Sequence, residues 1–583
     1  SIGNPSGFPI ILQKEYCKML LFELSFPILV DESKLYFDGI GTSYNNSLNI
    51  KGGTSCSLCS YFNSFPAGKY RKYTLAQNIT FNIKIQGFAE IFIKRENGNI
   101  ITSRLIENSK PEALAITFSI IDAKDGEIFY PEISAKSDCQ IFGGSYETKV
   151  SPQRDILLGA SFCTYKREKY IISNMERLRD FGLKYSIPLK VFVVDNGSTL
   201  PETLSDNTIT IIHNPNCGGS GGFARGLLEG VNFGCSHIIF LDDDISLDTN
   251  VILKTYSLLK ILKPEYYDSF IGGTMLHSEI PYLQHECGAL WDGFYLSPIG
   301  HEVDLRKKES VIANEKLQKA DYQAWWYCCF PTSFGEKFGY PMPYFIKSDD
   351  VEYGIRCQKP IITMNGIAVW HDGFDGKYAG HFEYYIKRNE LINTALHNKN
   401  TGIITNIRKL FASTARLTLL QRYFLAELVV KAYDDFMEGP EKLLSIDIAK
   451  YNTYLSSLAK PANDKSIIGN AKIISKPKIV NSALYYPSFG GNIFPSKNIC
   501  IELPLTDIEI RKTFRARYIA HTKADGSTAF VTKLKKRKLF WVVGKTIRMF
   551  FKFLTKYKKV RADYIHNQEK LTSKQYWQNY FSK

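Results

Sequence analysis

The sequence predicts a multidomain α/β protein: a β-sandwich or barrel over residues 1–150, a parallel α/β domain over 151–395 and a helical region over 396–583. Three observations carry this. At 583 residues the chain is too long for one hydrophobic core, so three or more domains are expected. Near residue 155 the texture changes from period-two alternation to short apolar strands separated by helix-like stretches. Beyond about residue 395 amphipathic helical periodicity takes over. With 44% hydrophobic and 22% charged residues, the composition excludes a disordered or fibrous chain.

Each region has its own signal. "ITFNIKIQGFAEIFIKRENGNI" (79–100) alternates apolar and polar residues around Gly and an Asn-Gly turn, the pattern of half-buried strands. "DILLGASFCTY" (155–165), "KVFVVDNGS" (190–198) and "ITIIHNPN" (209–216) read as short buried strands. Helix-like stretches such as "KREKYIISNMERLRDFGLKY" (166–185) lie between them, and that alternation means a parallel sheet covered by helices. "IRKLFASTARLTLLQRYFLAELVVKAYDDF" (407–436) reads as amphipathic helix.

The twelve cysteines are irregularly spaced, which fits a reduced, cytoplasmic protein better than a disulfide framework. Cys56 and Cys59 form a CxxC with no second pair at zinc spacing, so a plain loop is expected there. No stretch reaches the roughly 18 uncharged apolar residues of a membrane span, and no secretory signal is recognisable.

The net charge of +15 is not spread evenly. "KLKKRKLFWVVGKTIRMFFKFLTKYKKVR" (533–561) holds twelve Lys or Arg and no acid, so most of the excess lies in one segment. This disfavours a nucleic-acid binder. Leu539, Phe540, Val543, Ile547, Phe550, Phe551 and Leu554 recur at three- and four-residue spacing, with Lys545, Arg548, Lys552, Lys556 and Lys559 beside or opposite them and Trp541 at the boundary. Such a basic amphipathic helix reads as lying in the headgroup plane of an anionic membrane. The plainer alternative is a helix packed on the α/β domain with its lysines solvated.

The chemistry concentrates at strand ends. "IIFLDDDISLD" (238–248) runs an apolar strand into Asp242, Asp243 and Asp244, a repulsive triplet that a cation would neutralise. An acidic turn capping the next helix is the bland reading. Thr164, Arg167, Asp195, Asn196 and Asn216 also stand at or just after strand ends, where open α/β sheets bind ligands. Their side chains suit a base, a ribose and a diphosphate. "GGSGGFARG" (218–226), beginning at Gly218, opens a helix but matches neither a dinucleotide fingerprint nor a Walker A loop. "PYFIKSDDVEYGIRC" (343–357) adds Asp349 and Asp350, and "AVWHDGFDG" (368–376) adds His371. Asp242, Asp244 and His371 together would suit Mn²⁺ or Mg²⁺, although a histidine after Trp is commonly structural. Trp325 and Trp326 suit either a core or a platform for a sugar's apolar face.

In this order the motifs resemble family 2 glycosyltransferases of the GT-A (Rossmann-like) fold, specifically the bacterial galactofuranosyltransferases typified by the mycobacterial galactan polymerase. The co-linear motifs are the DNGS loop, Asn-x-Gly-Gly-Ser-Gly-Gly, "LDDD", "WW", "FIKSDDVEYG" and "WHD", and "SYFNSFPAGKYRKYT" (60–74) is similar to part of that family's N-terminal β-sandwich. The resemblance implies Asp242, Asp244 and His371 as metal ligands, with Asp243 near the sugar or ribose. It implies UDP contacts from Arg167, Asn196 and Asn216, and Asp350 as catalytic base. Trp325, Trp326 and His285 would line the sugar and acceptor cleft. The family has Gln where Asn196 stands, an acid where Ala289 stands and a His where Ile386 stands; the last two departures fall on the acceptor side.

The activity implied is metal-dependent, inverting transfer of galactofuranose from UDP-galactofuranose to a lipid-linked glycan in cell-surface polysaccharide synthesis such as O-antigen, capsule or galactan. The enzyme would sit on the inner face of the bacterial plasma membrane. Two alternatives stand beside it: a GT-A transferase using UDP-galactopyranose or UDP-glucose, and a non-catalytic binding protein on the same scaffold. The oligomeric state is left open, a homo-oligomer included.

Overall fold

A computed structural model describes residues 18–582 apart from 28–29, 40, 45–46, 317–318, 374–379, 399–401, 460–464 and 524. Near the N-terminus, Asn78–Arg95 (β1) and Ile100–Ser119 (β2) form a long antiparallel hairpin. Phe129–Ala135 (β3) pairs with the second half of β1, and Cys139–Thr148 (β4) with its first half. Between the halves lies Gly87 at φ 115°, where a Cβ would stand 2.6 Å from the Asp138 carbonyl oxygen. Only glycine fits that crossover. The sandwich expected from sequence is therefore one continuous sheet whose two wings share β1. Phe65 ties the wings together, its backbone pairing with Phe129 of β3 and its ring packing on Tyr146 of β4.

The change of texture near residue 155 is not a break in packing. One hydrophobic core runs from the N-terminal sheet into the next region. Phe62 packs on Trp370, and Lys69 Nζ donates to the Thr363 carbonyl and pairs with Glu315.

The central sheet begins with Leu158–Thr164 (β5), Glu168–Tyr185 (α1), Leu189–Asp195 (β6) and Ile209–His213 (β7). Gly218–Phe233 (α2), His237–Asp242 (β8), Phe270–His277 (β9), Leu283–Glu286 (β10) and Tyr327–Pro331 (β11) follow. Asp349–Cys357 (α3) then leads into Ile361–His371 (β12). The order is β7-β6-β5-β8-β11-β9-β10, with β12 beside β9. The first four strands are parallel and β11 is antiparallel to β8. The strand order reverses between β5 and β8, which opens a crevice at their carboxyl ends. β8 is apolar and buried almost throughout because neighbours cover both its faces.

Beyond β12, the amphipathic stretch 407–436 falls in two helices. Phe382–His397 (α4) is followed by Ile403–Leu419 (α5) and Tyr423–Phe436 (α6), with Gln421 at φ 58° between the last two. Polar side chains at the break reach outward: Gln421 Nε2 donates to the Ala516 carbonyl and Arg422 Nη2 to the Leu505 carbonyl. Those acceptors belong to a feature that helical periodicity did not announce, a four-stranded sheet within residues 472–533.

Lys536–Leu571 (α7) confirms the basic helix but divides its apolar residues. Leu539, Val542, Met549, Phe553, Tyr557 and Tyr564 are buried, with Tyr564 stacked on Phe436 of α6. Phe540, Val543, Ile547, Phe551 and Leu554 form a second stripe that remains exposed. No described helix is long and apolar enough to cross a membrane. Lys574–Phe581 (α8) returns to the central region, where Trp577 is fully buried and its indole N–H donates to the Pro341 carbonyl.

Candidate active site

β5 and β8 are register neighbours up to Cys163 and Asp242, so Thr164 and the aspartate triplet emerge side by side. The triplet divides its work. Asp243 faces inward, where its carboxylate accepts from Thr164 Oγ1 at 2.8 Å and Arg167 Nη1 at 3.0 Å. Arg167 also pairs with Asp244 at 2.7 Å. Asn174 of α1 donates to the carbonyls of Asp243 and Ile245, fixing the turn from below. Burial, with Asp242 next in effect, pushes the Asp243 carboxyl up to about 6 despite Arg167.

Asp242 and Asp244 converge with His371, the last residue of β12. His371 Nε2 lies 3.0 Å from Asp244 Oδ1 and 3.5 Å from Asp242 Oδ2. Ile245 and His371 are paired across strands, which explains how residues so far apart in sequence meet. Burial disfavours the charged imidazole, but the two carboxylates outweigh it and hold His371 up at about 10. Two carboxylates and one imidazole, with ligand atoms all within 4.8 Å of one another, fit a hard-to-borderline divalent cation.

The glycine loop supports the opposite wall. Gly218 has φ 68°, and a Cβ there would stand 2.1 Å from the Phe345 carbonyl oxygen. Ser220 donates from its backbone to that same carbonyl and from Oγ to Asp349 Oδ2 at 2.7 Å. The loop thus holds the second acidic segment against the first. Cys163, the register partner of Asp242, donates from Sγ to the Gly218 carbonyl at 3.7 Å, so the glycine loop that holds Asp349 also borders the first acidic group at one crevice.

Asp350, at the start of α3, is only partly exposed, and its Oδ1 accepts from the Val351 N–H at 2.8 Å. Burial and the adjacent Asp349 push its carboxyl up to about 8. Burial also raises Asp349, although the Ser220 hydroxyl opposes this. Sequence reasoning missed how this pair is held. Phe345, Lys347 and Ser348 all have φ between 67° and 75°, the left-handed region that costs a non-glycine residue of order 1 kcal/mol or more. Asn389 of α4 holds the strained segment by donating to the carbonyls of Ile346 and Lys347, and Asn393 does the same for Ser348. Nothing in the sequence marks Asn389 for this task, because the dihedrals it stabilises belong to a segment more than forty residues earlier.

Other candidates fall into place with corrections. Asp195 is fully buried, its oxygens accepting from the N–H groups of Gly197, Thr199 and Leu200. It shapes the DNGS loop and does not face the crevice. Asn196 links Asn214 to the Gly218 carbonyl, and Asn216 Oδ1 accepts from the Gly218 N–H. Trp325 is no open platform, since Phe223, Phe240 and Tyr353 surround it in the core. Trp326 is also largely buried, donating from Nε1 to the Gly273 carbonyl, with His285 next to it. All described cysteines are free, and burial pushes Cys56 and Cys59 up to about 12, which rules out reactive thiolates there.

Residues 28–149 match the family described as Galactofuranosyltransferase 2 N-terminal. The galactofuranosyltransferase GlfT2 of Mycolicibacterium smegmatis is 24% identical, covering 94% of this chain and 93% of its own. GlfT2 of Mycobacterium tuberculosis is also 24% identical, covering 94% of this chain and 95% of its own. The chain is similar to GlfT2 over nearly its whole length. This similarity spans the crevice, both acidic groups and the C-terminal helices, whereas the family match lies in the N-terminal sheet and ends before β5. A mannosyltransferase from Pyrobaculum calidifontis, solved with GDP-mannose and Mn²⁺, covers 53% of this GlfT2-like chain and 83% of its own at 12% identity and a TM-score of 0.29. A likeness that low carries no weight.

Proposed function

We propose that the protein transfers galactofuranose, with inversion, from UDP-galactofuranose to a hydroxyl of a lipid-linked glycan at an anionic membrane surface. The observation that carries this is the meeting of Asp242, Asp244 and His371 with the Asp349–Asp350 pair around one crevice at the sheet's switch point. Asp242, Asp244 and His371 would hold Mn²⁺ or Mg²⁺, which when bound neutralises charge developing on a departing diphosphate. Arg167, Asn196 and Asn216 bind and orient the nucleotide. Asp243, held by Thr164 and Arg167, fixes the turn that presents its two neighbours. Asp350 accepts the proton of the attacking hydroxyl. Its raised basicity suits that task, because the ionised carboxylate is then a stronger base toward the hydroxyl proton. Attack from the face opposite the leaving group gives inversion without a covalent enzyme intermediate.

The deciding experiment is a panel of UDP-sugars with Mn²⁺ and synthetic galactoside acceptors, with products read by mass and linkage. Turnover is expected with UDP-galactofuranose. Turnover only with UDP-galactopyranose or UDP-glucose would reassign the donor. No UDP release from any donor would make the chain a binding protein.

The membrane part of the proposal rests on α7. Its buried face packs on α5 and α6, while the exposed stripe of Phe540, Val543, Ile547, Phe551 and Leu554 follows a helical three- and four-residue spacing. Phe540 is 69% exposed and Phe551 59%, and exposed lysines and arginines border them. Deleting α7 would destroy core packing and is therefore a poor test. Phe540→Ser with Phe551→Ser leaves the buried face intact and should cost about 3 kcal/mol of partitioning, roughly a 10²-fold loss of anionic-liposome binding. Activity on short soluble acceptors should persist, and high salt should also weaken binding by screening the basic residues. Wild-type protein that fails to sediment with anionic liposomes even at low salt would end the membrane assignment.

A further inference from the structure

A second cluster of metal-ligand type stands at the ends of two neighbouring strands, beside Trp326. His277 ends β9, His285 lies on β10, and Glu302 follows in the turn that returns along β10. Glu302 Oε1 lies 3.0 Å from His277 Nε2 and 3.4 Å from His285 Nδ1. A tetrahedral ion with bonds of about 2.0–2.1 Å separates its ligand atoms by roughly 3.3 Å, so the three atoms already have the spacing of a coordination shell. Glu302 takes φ 53°, a conformation few non-glycine residues adopt, to bring its carboxylate there. The ordinary reading is a hydrogen-bonded His–Glu pair, but two imidazole nitrogens aimed at one carboxylate oxygen exceed what a pair requires.

We infer that His277, His285 and Glu302 form a second metal site that takes one Zn²⁺-class ion and leaves a coordination position open to solvent. Two imidazoles and one carboxylate make this set softer than Asp242, Asp244 and His371, so it favours zinc where the first favours manganese or magnesium. The side chain of Glu302 is 43% exposed, which leaves a path for the ion and its water. On binding, the protons that His277 and His285 share with Glu302 pass to solvent and the ion takes their place. His277 and His371 are register partners on adjacent strands, so the two sites sit on neighbouring strand ends. An ion here would fasten residues 278–304 beside Trp326. The inference rests on this geometry alone and holds whichever sugar the enzyme transfers.

The test uses full-length, metal-stripped Asp242→Ala protein, in which the first site is broken. Titration with Zn²⁺, and with Co²⁺ read by its visible absorption, should show one bound ion per chain with four-coordinate nitrogen-ligated character. Adding His277→Ala should abolish that binding. Adding Glu302→Gln, at a solvent-exposed position suited to substitution without unfolding, should weaken it by at least about tenfold. Zinc should raise the melting temperature of Asp242→Ala protein but not that of either double variant. Absence of a bound ion in Asp242→Ala protein, or undiminished binding after Glu302→Gln, overturns the site.

Discussion

Asp242→Ala or Asp244→Ala should leave less than about a thousandth of wild-type turnover. Either change removes one carboxylate from the Asp242–Asp244–His371 set and leaves charge on the departing diphosphate uncompensated, a loss of about 4 kcal/mol in the transition state. Exhaustive chelation should reproduce the effect, and Mn²⁺ or Mg²⁺ should restore the wild type but neither variant. The two variants should differ in stability. Asp244 pairs with both Arg167 and His371 and is buried, whereas the Asp242 side chain is 45% exposed. Asp244→Ala therefore strands a buried imidazole and should lower the melting temperature more. Full activity after chelation would sink the metal reading, and a fully active Asp242→Ala enzyme would remove it from this residue.

Asp350→Asn is the second large expected effect. The amide keeps the shape of the side chain but does not accept a proton, so turnover should fall by about 10²-fold or more with UDP binding unchanged. Asp349→Asn should cost less in chemistry, because Asp349 is tied to the Ser220 hydroxyl and supports the glycine loop. The pH profile carries the same assignment. Asp350 must be deprotonated to act, so kcat/KM should fall as pH falls through the raised pKa. With burial and Asp349 pushing that value from 3.8 to about 8, the acid limb belongs far above the usual carboxylate range. Asp350→Asn should abolish this limb. An inactive Asp349→Asn beside a nearly normal Asp350→Asn would reverse the assignment.

What sequence disclosed depended on whether the determinant was local. Short apolar strands ending in Asp, Asn or Thr were legible because a parallel sheet buries its strands on both faces and exposes their carboxyl ends. The triplet at 242–244 was legible because three adjacent carboxylates need a reason. Individual roles were less so. Asp195 ends a strand like Asp242, yet its neighbours' N–H groups fold onto it, and only the backbone path of 196–200 distinguishes the two. Trp325 and Trp326 are adjacent in sequence but enter different surroundings, as successive residues near a strand do. The break at Gln421 carries no Gly or Pro; contacts nearly a hundred residues away hold it. His277, His285 and Glu302 share no recognisable spacing, because a bend in the chain, not a helix or strand period, brings them together.

The position of Trp577 bears on the order in which this enzyme becomes competent. The glycine loop opens at Gly218, and a Cβ on Gly221 of that loop would lie 3.4 Å from the Trp577 ring. Several hundred residues of synthesis separate the loop from this wedge. The ribosome therefore releases β5 to β8 long before it releases the side chain that backs their glycine loop, and bringing such distant partners together is a slow, entropy-limited closure. Until that side chain arrives the glycine loop lacks its backing, although the carboxylates of the crevice are already made. Chains that stop short of α8 lack the wedge behind the glycine loop, so the gain of activity on refolding should track the docking of α8 rather than the folding of the sheet.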